Sequence, residues 1–455
     1  MHVNKVRLSI FLTATIGFSP FFSAQELDSV LKNLINKGLE KNHSINIHNL
    51  NSEQSKVDQK LAKAIFLPKI SFNSSFTRLD NDITFDDETQ NLLIATQKLL
   101  IKEAIGIPFN DAFPNNINLT DIPSLQDKSI LKSSVDLDWI LFSGFEATNA
   151  LKASKHKEAS LNYVVIAEKN KIALNIIETY DKLALVYASR RVLNTSKKYL
   201  DEQEYYVRKA IKNGLAIPIN RKKIELAKQQ LAAKQLEYNH NKSLLIEVLF
   251  QLTGENRKNL VLLNPKLQSF SSDVSNSEKR NEVKALEEAE KAIIYKSKME
   301  KNNFIPKIAL KGHYEFIEDD LSLLEPKWYV GVGIKWNAFD GFKSKLKSKK
   351  SKIESKKYRE QIENANEMIS LSIIQAELAY ESSLENTKIV EKEIELTKDT
   401  YDMVNKQYKN NLASINDVLD SLNDLEKANF KLQKSFYSER RAFTSLLYAK
   451  GILKY

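Results

Sequence analysis

The sequence holds no cysteine, only 11 glycines and 9 prolines among 455 residues, and no apolar run of about 18 residues. Without cysteine there is no disulfide framework, no thiol nucleophile and no lipid anchor on an N-terminal cysteine. Without a long apolar run there is no helical membrane span, in keeping with 28% charged residues and a mean hydropathy of −0.39. The chain also lacks a P-loop, a Gly-x-Ser-x-Gly elbow and any cluster of metal ligands. Its six histidines are scattered; His43 and His48 are five apart, whereas metal pairs on a helix sit three or four apart. We therefore assign no catalytic residue, no metal and no cofactor, and any ATPase must come from a partner.

The formal net charge is +10 and the pI about 9.1. Lys, Arg and Glu are interspersed along helical stretches, which describes a solvated coiled-coil surface better than a nucleic-acid patch. Lys5 and Arg7, the apolar stretch Leu8–Phe22 and the small pair Ser23-Ala24 have the layout of a secretory signal peptide over 1–24, cut before Gln25. A short N-terminal anchor is the alternative.

What the chain has in quantity is itself, twice. Trp139-x-x-Phe142-x-Gly144-Phe145 returns as Trp336-x-x-Phe339-x-Gly341-Phe342, 197 residues later. Val207 and Val404, Leu215-Ala216 and Leu412-Ala413, and Gly254 and Gly451 keep the same offset without insertion. Such a repeat fixes the architecture. The first copy spans 25–254: helix 26–64, β-hairpin 68–142, long helix 145–212 and return helix 219–252. An Asn/Ser-rich linker follows over 255–281. The second copy spans 282–455: helix 282–302, hairpin 306–339, long helix 342–409 and return helix 415–450.

Local chemistry supports each element. Ile70, Phe72 and Phe76 alternate with polar residues, as do Val135, Leu137, Trp139 and Leu141, then Ile308, Leu310, Tyr314 and Phe316, then Trp328, Val330, Val332, Ile334 and Trp336. The first hairpin carries a long insertion over 80–130, with a short helix near Leu92–Ala104. No Gly or Pro interrupts Phe145 to Lys212, a rod roughly 100 Å long. Ile172, Ile176, Thr179, Leu183 and Val186 form a heptad seam, repeated by Ile369, Ile373, Ala376 and Tyr380. Asn213-Gly214-Leu215-Ala216-Ile217-Pro218 and Asn410-Asn411-Leu412-Ala413-Ser414 turn the chain at the two tips.

From this pattern a pore follows. Strands that alternate apolar and polar residues have the character of a membrane barrel. Four strands cannot close a cylinder, and open edges are not tolerated in lipid. Three chains pooling four strands each would close a 12-stranded barrel. Trp139 and Trp336 would then mark an aromatic belt at the membrane interface. The alternative is a soluble sandwich with ordinary core tryptophans. The fold class expected is an α+β membrane protein: a duplicated hairpin–long-helix unit, assembled as a trimeric β-barrel continued by a periplasmic α-helical barrel.

The duplicated layout, the Pro68 and Pro306 openings and the Gly-Leu tip resemble the TolC family of outer-membrane efflux proteins over nearly the whole mature chain. The resemblance implies a homotrimeric exit duct in the cell outer membrane, its helical part in the periplasm. It further implies a periplasmic membrane-fusion adaptor and an inner-membrane transporter as partners, in efflux or type I secretion of small molecules or proteins. A periplasmic adaptor or structural coiled-coil protein is the alternative. By resemblance, Gly214, Leu215, Ala216, Asn411, Leu412, Ala413 and Ser414 contact the adaptor, unless they only turn the chain. Tyr408 matches the family's gate tyrosine, or packs a core. Asp417 and Asp420 match paired aspartates ringing the narrow entrance, where mutual repulsion should raise proton affinity; acidic residues near a helix start also simply favour its dipole. The family's gate-locking arginine is Ala413 here, and its acidic partner is Asn220, followed by Arg221.

Overall fold

The computed structural model describes residues 28–267, 274, 276–318 and 326–455. The leader expected at 1–24 lies outside them, as does part of the linker. In order come α1 (Ser29–Lys41), α2 (His43–Ala64), β1 (Lys69–Arg78), α3 (Asp87–Ala104), β2 (Ser129–Phe142), α4 (Glu146–Lys212), α5 (Pro218–Thr253), α6 (Arg257–Leu262), α7 (Asn281–Lys301), β3 (Lys307–Glu318), β4 (Trp328–Lys335), α8 (Lys343–Lys409) and α9 (Ile415–Ala449).

Two expectations need correction. The helix expected over 26–64 is two helices. Asn42 is extended, and its side-chain oxygen accepts from the N–H groups of Ser44 and Ile45 at 2.9 and 3.1 Å. Such local bonds compete with the helical ladder, so the apolar period runs on while the ladder restarts. The linker expected over 255–281 contains α6. Asn256 caps it by accepting from Lys258 N–H, and Leu260 anchors it in the core.

α4 and α8 hold 67 residues each, and both their starts and their ends are 197 residues apart. Left-handed backbone recurs at the same spacing: Gly144 and Gly341, Phe145 and Phe342, Gly214 and Asn411, Gly254 and Gly451. A bulky residue with positive φ is strained. Phe145 and Phe342 each pack edge-on against the ring three residues earlier, Phe142 at 5.1 Å and Phe339 at 5.4 Å. These aromatic pairs hold the strand-to-helix bend.

The chain forms two compact units. One comprises Val164–Val283 and Asn364–Tyr455 with the N-terminal segment up to Ile47. Its core joins Leu31, Leu34 and Ile35 of α1 to Ile172, Ile176, Tyr180 and Leu183 of α4, with Leu249 of α5 and Leu447 of α9. Ile172, Ile176, Thr179 and Leu183 of the first seam are buried, whereas the second seam, Ile369 to Tyr380, is only half-buried. A buried ion pair ties α9 to α4: Arg440 Nε donates to Asp181 Oδ1 at 2.6 Å, with side-chain exposures of 7% and 1%. Arg440→Leu strips that buried carboxylate of its nearest cation and should cost about 3–5 kcal/mol. The check is the denaturation midpoint of the purified protein; an unchanged midpoint would show that the pair contributes nothing.

The other unit, His48–Tyr163 with Lys284–Glu363, carries the sheet and a row of helices. The sheet is antiparallel in the order β1-β2-β3-β4. Register aligns apolar residues across it: Phe72, Val135 and Tyr314, then Leu310 and Val332, then Ile308 and Ile334. Polar residues align on the other face, where Asn73 Nδ2 and His313 Nδ1 both bond the Asp136 carboxylate, and His313 stacks on Tyr329 at 5.3 Å. The helices follow the same order. Ser52 of α2 donates to Asn162 of α4 at 2.6 Å, Ser160 of α4 to the Ala285 carbonyl of α7 at 2.7 Å, and Ser351 of α8 to Glu300 of α7 at 2.6 Å. No described helix is long and apolar enough to cross a membrane.

Candidate functional site

Two helical turns end the first unit's bundle, and they are built alike. Gly214 has φ +74°, and Leu215 N–H reaches back to the Ala210 carbonyl at 2.8 Å. Asn411 has φ +61°, and Leu412 N–H reaches the Gln407 carbonyl at 2.8 Å. Both are Schellman-type closures, which need one left-handed residue just past the helix. Glycine supplies it at no steric cost; asparagine is among the few side chains that tolerate it. Each turn leaves a leucine in solvent, Leu215 at 65% and Leu412 at 78% exposure. Ala216 and Ala413 are half-buried, and Asn411 and Ser414 are exposed.

Beyond the turns the two helix starts differ. Pro218 opens α5, whose cap Ile217 makes no side-chain bond. Ser414 opens α9 through a capping box: its hydroxyl accepts from Asp417 N–H at 3.3 Å, and Asp417 accepts from Ser414 N–H at 2.7 Å. That N–H bond, with the Ser414 hydroxyl, holds the Asp417 carboxyl below the usual range. Within one chain the shift is thus opposite to what crowding of like charges would produce. Asp420, one turn on, is exposed and lines a groove of about 410 Å³ with Lys223, Asn416 and Glu426.

Tyr408 is half-buried against a cluster that includes Val207, Ile224, Ile415 and Val418, and burial pushes its hydroxyl up. The structure thus gathers Tyr408, both tips and both aspartates at one end of a single unit. Arg221, next to Asn220, pairs with Glu225 on its own helix at 3.1 Å.

Sequence reasoning passed over Gln203. It is buried and donates to Tyr401 Oη at 3.2 Å and to Asn405 Oδ1 at 2.9 Å, binding α4 to α8 below the tips. Burial pushes the Tyr401 hydroxyl up to about 12. A glutamine facing a tyrosine 198 residues away leaves no trace in helical periodicity. The exposed Tyr205 and Tyr206 were missed too; Lys209 and Lys409 lie over their rings at 4.5 and 4.3 Å.

Trp139 and Trp336 belong to the sheet-bearing unit. Both rings are exposed, and no second sheet covers them among the described residues. Each indole N–H donates at 2.9 Å to the carbonyl two residues before the hairpin's proline, Phe66 for one and Phe304 for the other. Such anchoring suits an amphipathic ring that keeps one polar contact while its body faces an apolar medium.

No protein-family model matches the sequence, and no curated protein is similar to it. Solved structures are similar. The outer membrane protein VceC of Vibrio cholerae superposes with a TM-score of 0.74 at 14% identity, over 93% of this chain and 96% of that one. The CmeC outer membrane channel of Campylobacter jejuni gives 0.70 at 14% identity, over 93% and 86%. The open-state MtrE outer membrane channel of Neisseria gonorrhoeae gives 0.66 at 15% identity, over 92% and 88%. The chain has the fold of the TolC-family outer-membrane channels, the family its duplicated layout resembles.

Proposed function

We propose that this chain is an outer-membrane channel, the passive exit duct of a tripartite efflux or type I secretion system, formed by three copies around one axis. The carrying observation is a matched pair of open ends. Among the described strands, β1 and β4 each have one free edge, and the sheet's apolar face is exposed. In the same unit α2 and α8 stand at the ends of the helix row and carry bare apolar ridges, Leu50, Val57 and Leu61 on one, Leu346 and Ile353 on the other. On α8 the ridge continues through Leu378, Ile389, Leu396 and Met403. Sheet and helix row therefore stop at the same two ends. A ring of copies pairs β4 with the next β1 and covers each α8 ridge, which removes the edges lipid does not tolerate. Three copies give twelve strands, wide enough for an aqueous lumen. The two tandem halves are read as copies of one unit, each contributing one hairpin and one long helix.

In this reading the tips, Gly214 to Ala216 and Asn411 to Ser414, receive a periplasmic adaptor, and an inner-membrane transporter supplies energy and most substrate choice. Tyr408 packs behind the narrow entrance, and Asp417 and Asp420 ring it. No residue performs chemistry; the duct works by shape, charge and exclusion of lipid. Image class averages and mass of the detergent-solubilised protein test the assembly. A threefold cylinder is expected; a monomer, or recovery in the soluble periplasmic extract, rejects it. Asp417→Ala with Asp420→Ala should weaken block of single-channel current by a polyvalent cation about tenfold, as expected when a focused negative field is removed. Equal block in the double variant would show that the aspartates do not face the pore.

A further inference from the structure

The first turns of α8 carry a charge pattern that the channel reading does not require. Between Lys343 and Lys357 stand eight lysines, all exposed. None forms an ion pair among the described residues; the stretch's one carboxylate, Glu354, pairs with Lys296 at 3.6 Å. At the corresponding positions of α4 only Lys152 and Lys155 are lysines; the others include Glu146, Ala150, Ala153 and Ser160. The dense run of charge thus belongs to the second half, and it begins eight residues after β4.

Contacts along one side fix the helix in rotation. Ser344, Ser348, Ser351 and Ser355 are buried; Ser348 bonds Ser297, Ser351 bonds Glu300, and both partners lie on α7. Opposite them run Leu346 and Ile353, an exposed ridge that a neighbouring copy would cover in the proposed ring. At about 100° per residue, the lysines fall on the two faces between. Lys343, Lys347, Lys350 and Lys357 share one face; Lys345, Lys349, Lys352 and Lys356 share the other. In a ring of helices one of these faces looks inward and the other outward. Whichever way the ring is wound, four lysines per chain face the lumen, twelve per trimer.

We propose that these lysines form a cationic collar in the duct beneath the barrel, a transit site that recruits anionic solutes. This rests on the trimeric duct reading. On the face of Lys345, Lys349, Lys352 and Lys356 neighbours lie three or four residues apart, about 5–6 Å along the axis; on the other face Lys343, Lys347 and Lys350 keep that spacing and Lys357 stands seven residues on, about 10 Å away, so the neighbours lie within about one Debye length of each other, roughly 10 Å. Their fields therefore add, and a low-dielectric wall focuses them on the lumen.

The test uses the full-length protein in planar bilayers at about 0.1 M salt, with the tetravalent anion hexacyanoferrate(II) added on the barrel side. The wild type should show block. Glutamine at all four positions of one face should raise the half-blocking concentration about tenfold or more; the same change on the other face should alter it less than twofold. All eight positions are exposed in the chain, and mass in detergent confirms that each variant is still trimeric. Undiminished block with all eight lysines replaced overturns the collar. Equal loss from either face alone overturns the two-face geometry. A wild-type protein that assembles no conducting pore rejects the duct itself, a failure distinct from that of the collar.

Discussion

A chain carrying Leu215→Glu together with Leu412→Glu should export its cargo no better than cells lacking the protein, while remaining trimeric. Both side chains stand largely in solvent, at 65% and 78% exposure, so their replacement removes little packing within the chain. The backbone closures at Ala210 and Gln407 use main-chain atoms and persist. What changes is the apolar point that each tip offers a partner. The few central anchors of an interface carry about 2 kcal/mol or more each, the role assigned here to the two leucines, and a buried unpaired carboxylate adds a penalty. Two such losses in each subunit of the proposed trimer would sum to about 12 kcal/mol, the whole free energy of a nanomolar contact. Gly214→Pro attacks the same place differently: proline holds φ near −65°, and the +74° closure cannot form. Drug resistance or secretion in the double variant is the readout. Normal export with an intact trimer would mean that the tips only turn the chain.

Ring closure yields the second large effect. Ile353→Glu with Leu396→Glu should abolish the trimer and leave a smaller species in detergent. Their exposures, 59% and 57%, make them surface residues of one chain. Within the proposed ring the same side chains would become buried, and because each starts little more than half exposed, each is worth about 1–2 kcal/mol at every one of three interfaces. Replacement by carboxylates reverses that gain and adds desolvation. Mass measurement in mild detergent decides the matter; an undiminished trimer would place the α8 ridge outside the subunit contact and remove the main support for the ring. The Arg440→Leu variant is the contrasting case. That pair is buried within the chain, so its loss lowers the denaturation midpoint without acting on assembly directly.

Some features of the fold are legible in the sequence and others are not, for physical reasons. Gly144, Gly214, Gly254 and their partners declared themselves because positive φ restricts the residue types that can follow a helix or strand. Alternation along β1 to β4 set the apolar face before any register was known, since a strand has a period of two. The absence of Gly and Pro from α4 and α8 set their length. By contrast, Asn42 breaks the first helix through a side-chain bond that apolar periodicity does not register. The short α6 holds six residues, fewer than two turns, too few for a helical period to be seen.

The sequence by itself determined the tandem halves, the four amphipathic strands, the long rods and the composition of the tips, because each is written in local spacing. The tertiary structure decided which helix lies beside which. It showed Tyr408 packed rather than free and Asp417 engaged in a helix cap, and it left both ends of the sheet and of the helix row open. Those facts depend on residues far apart in the chain meeting in space, as Gln203 meets Tyr401, and pattern along a chain carries no record of such meetings.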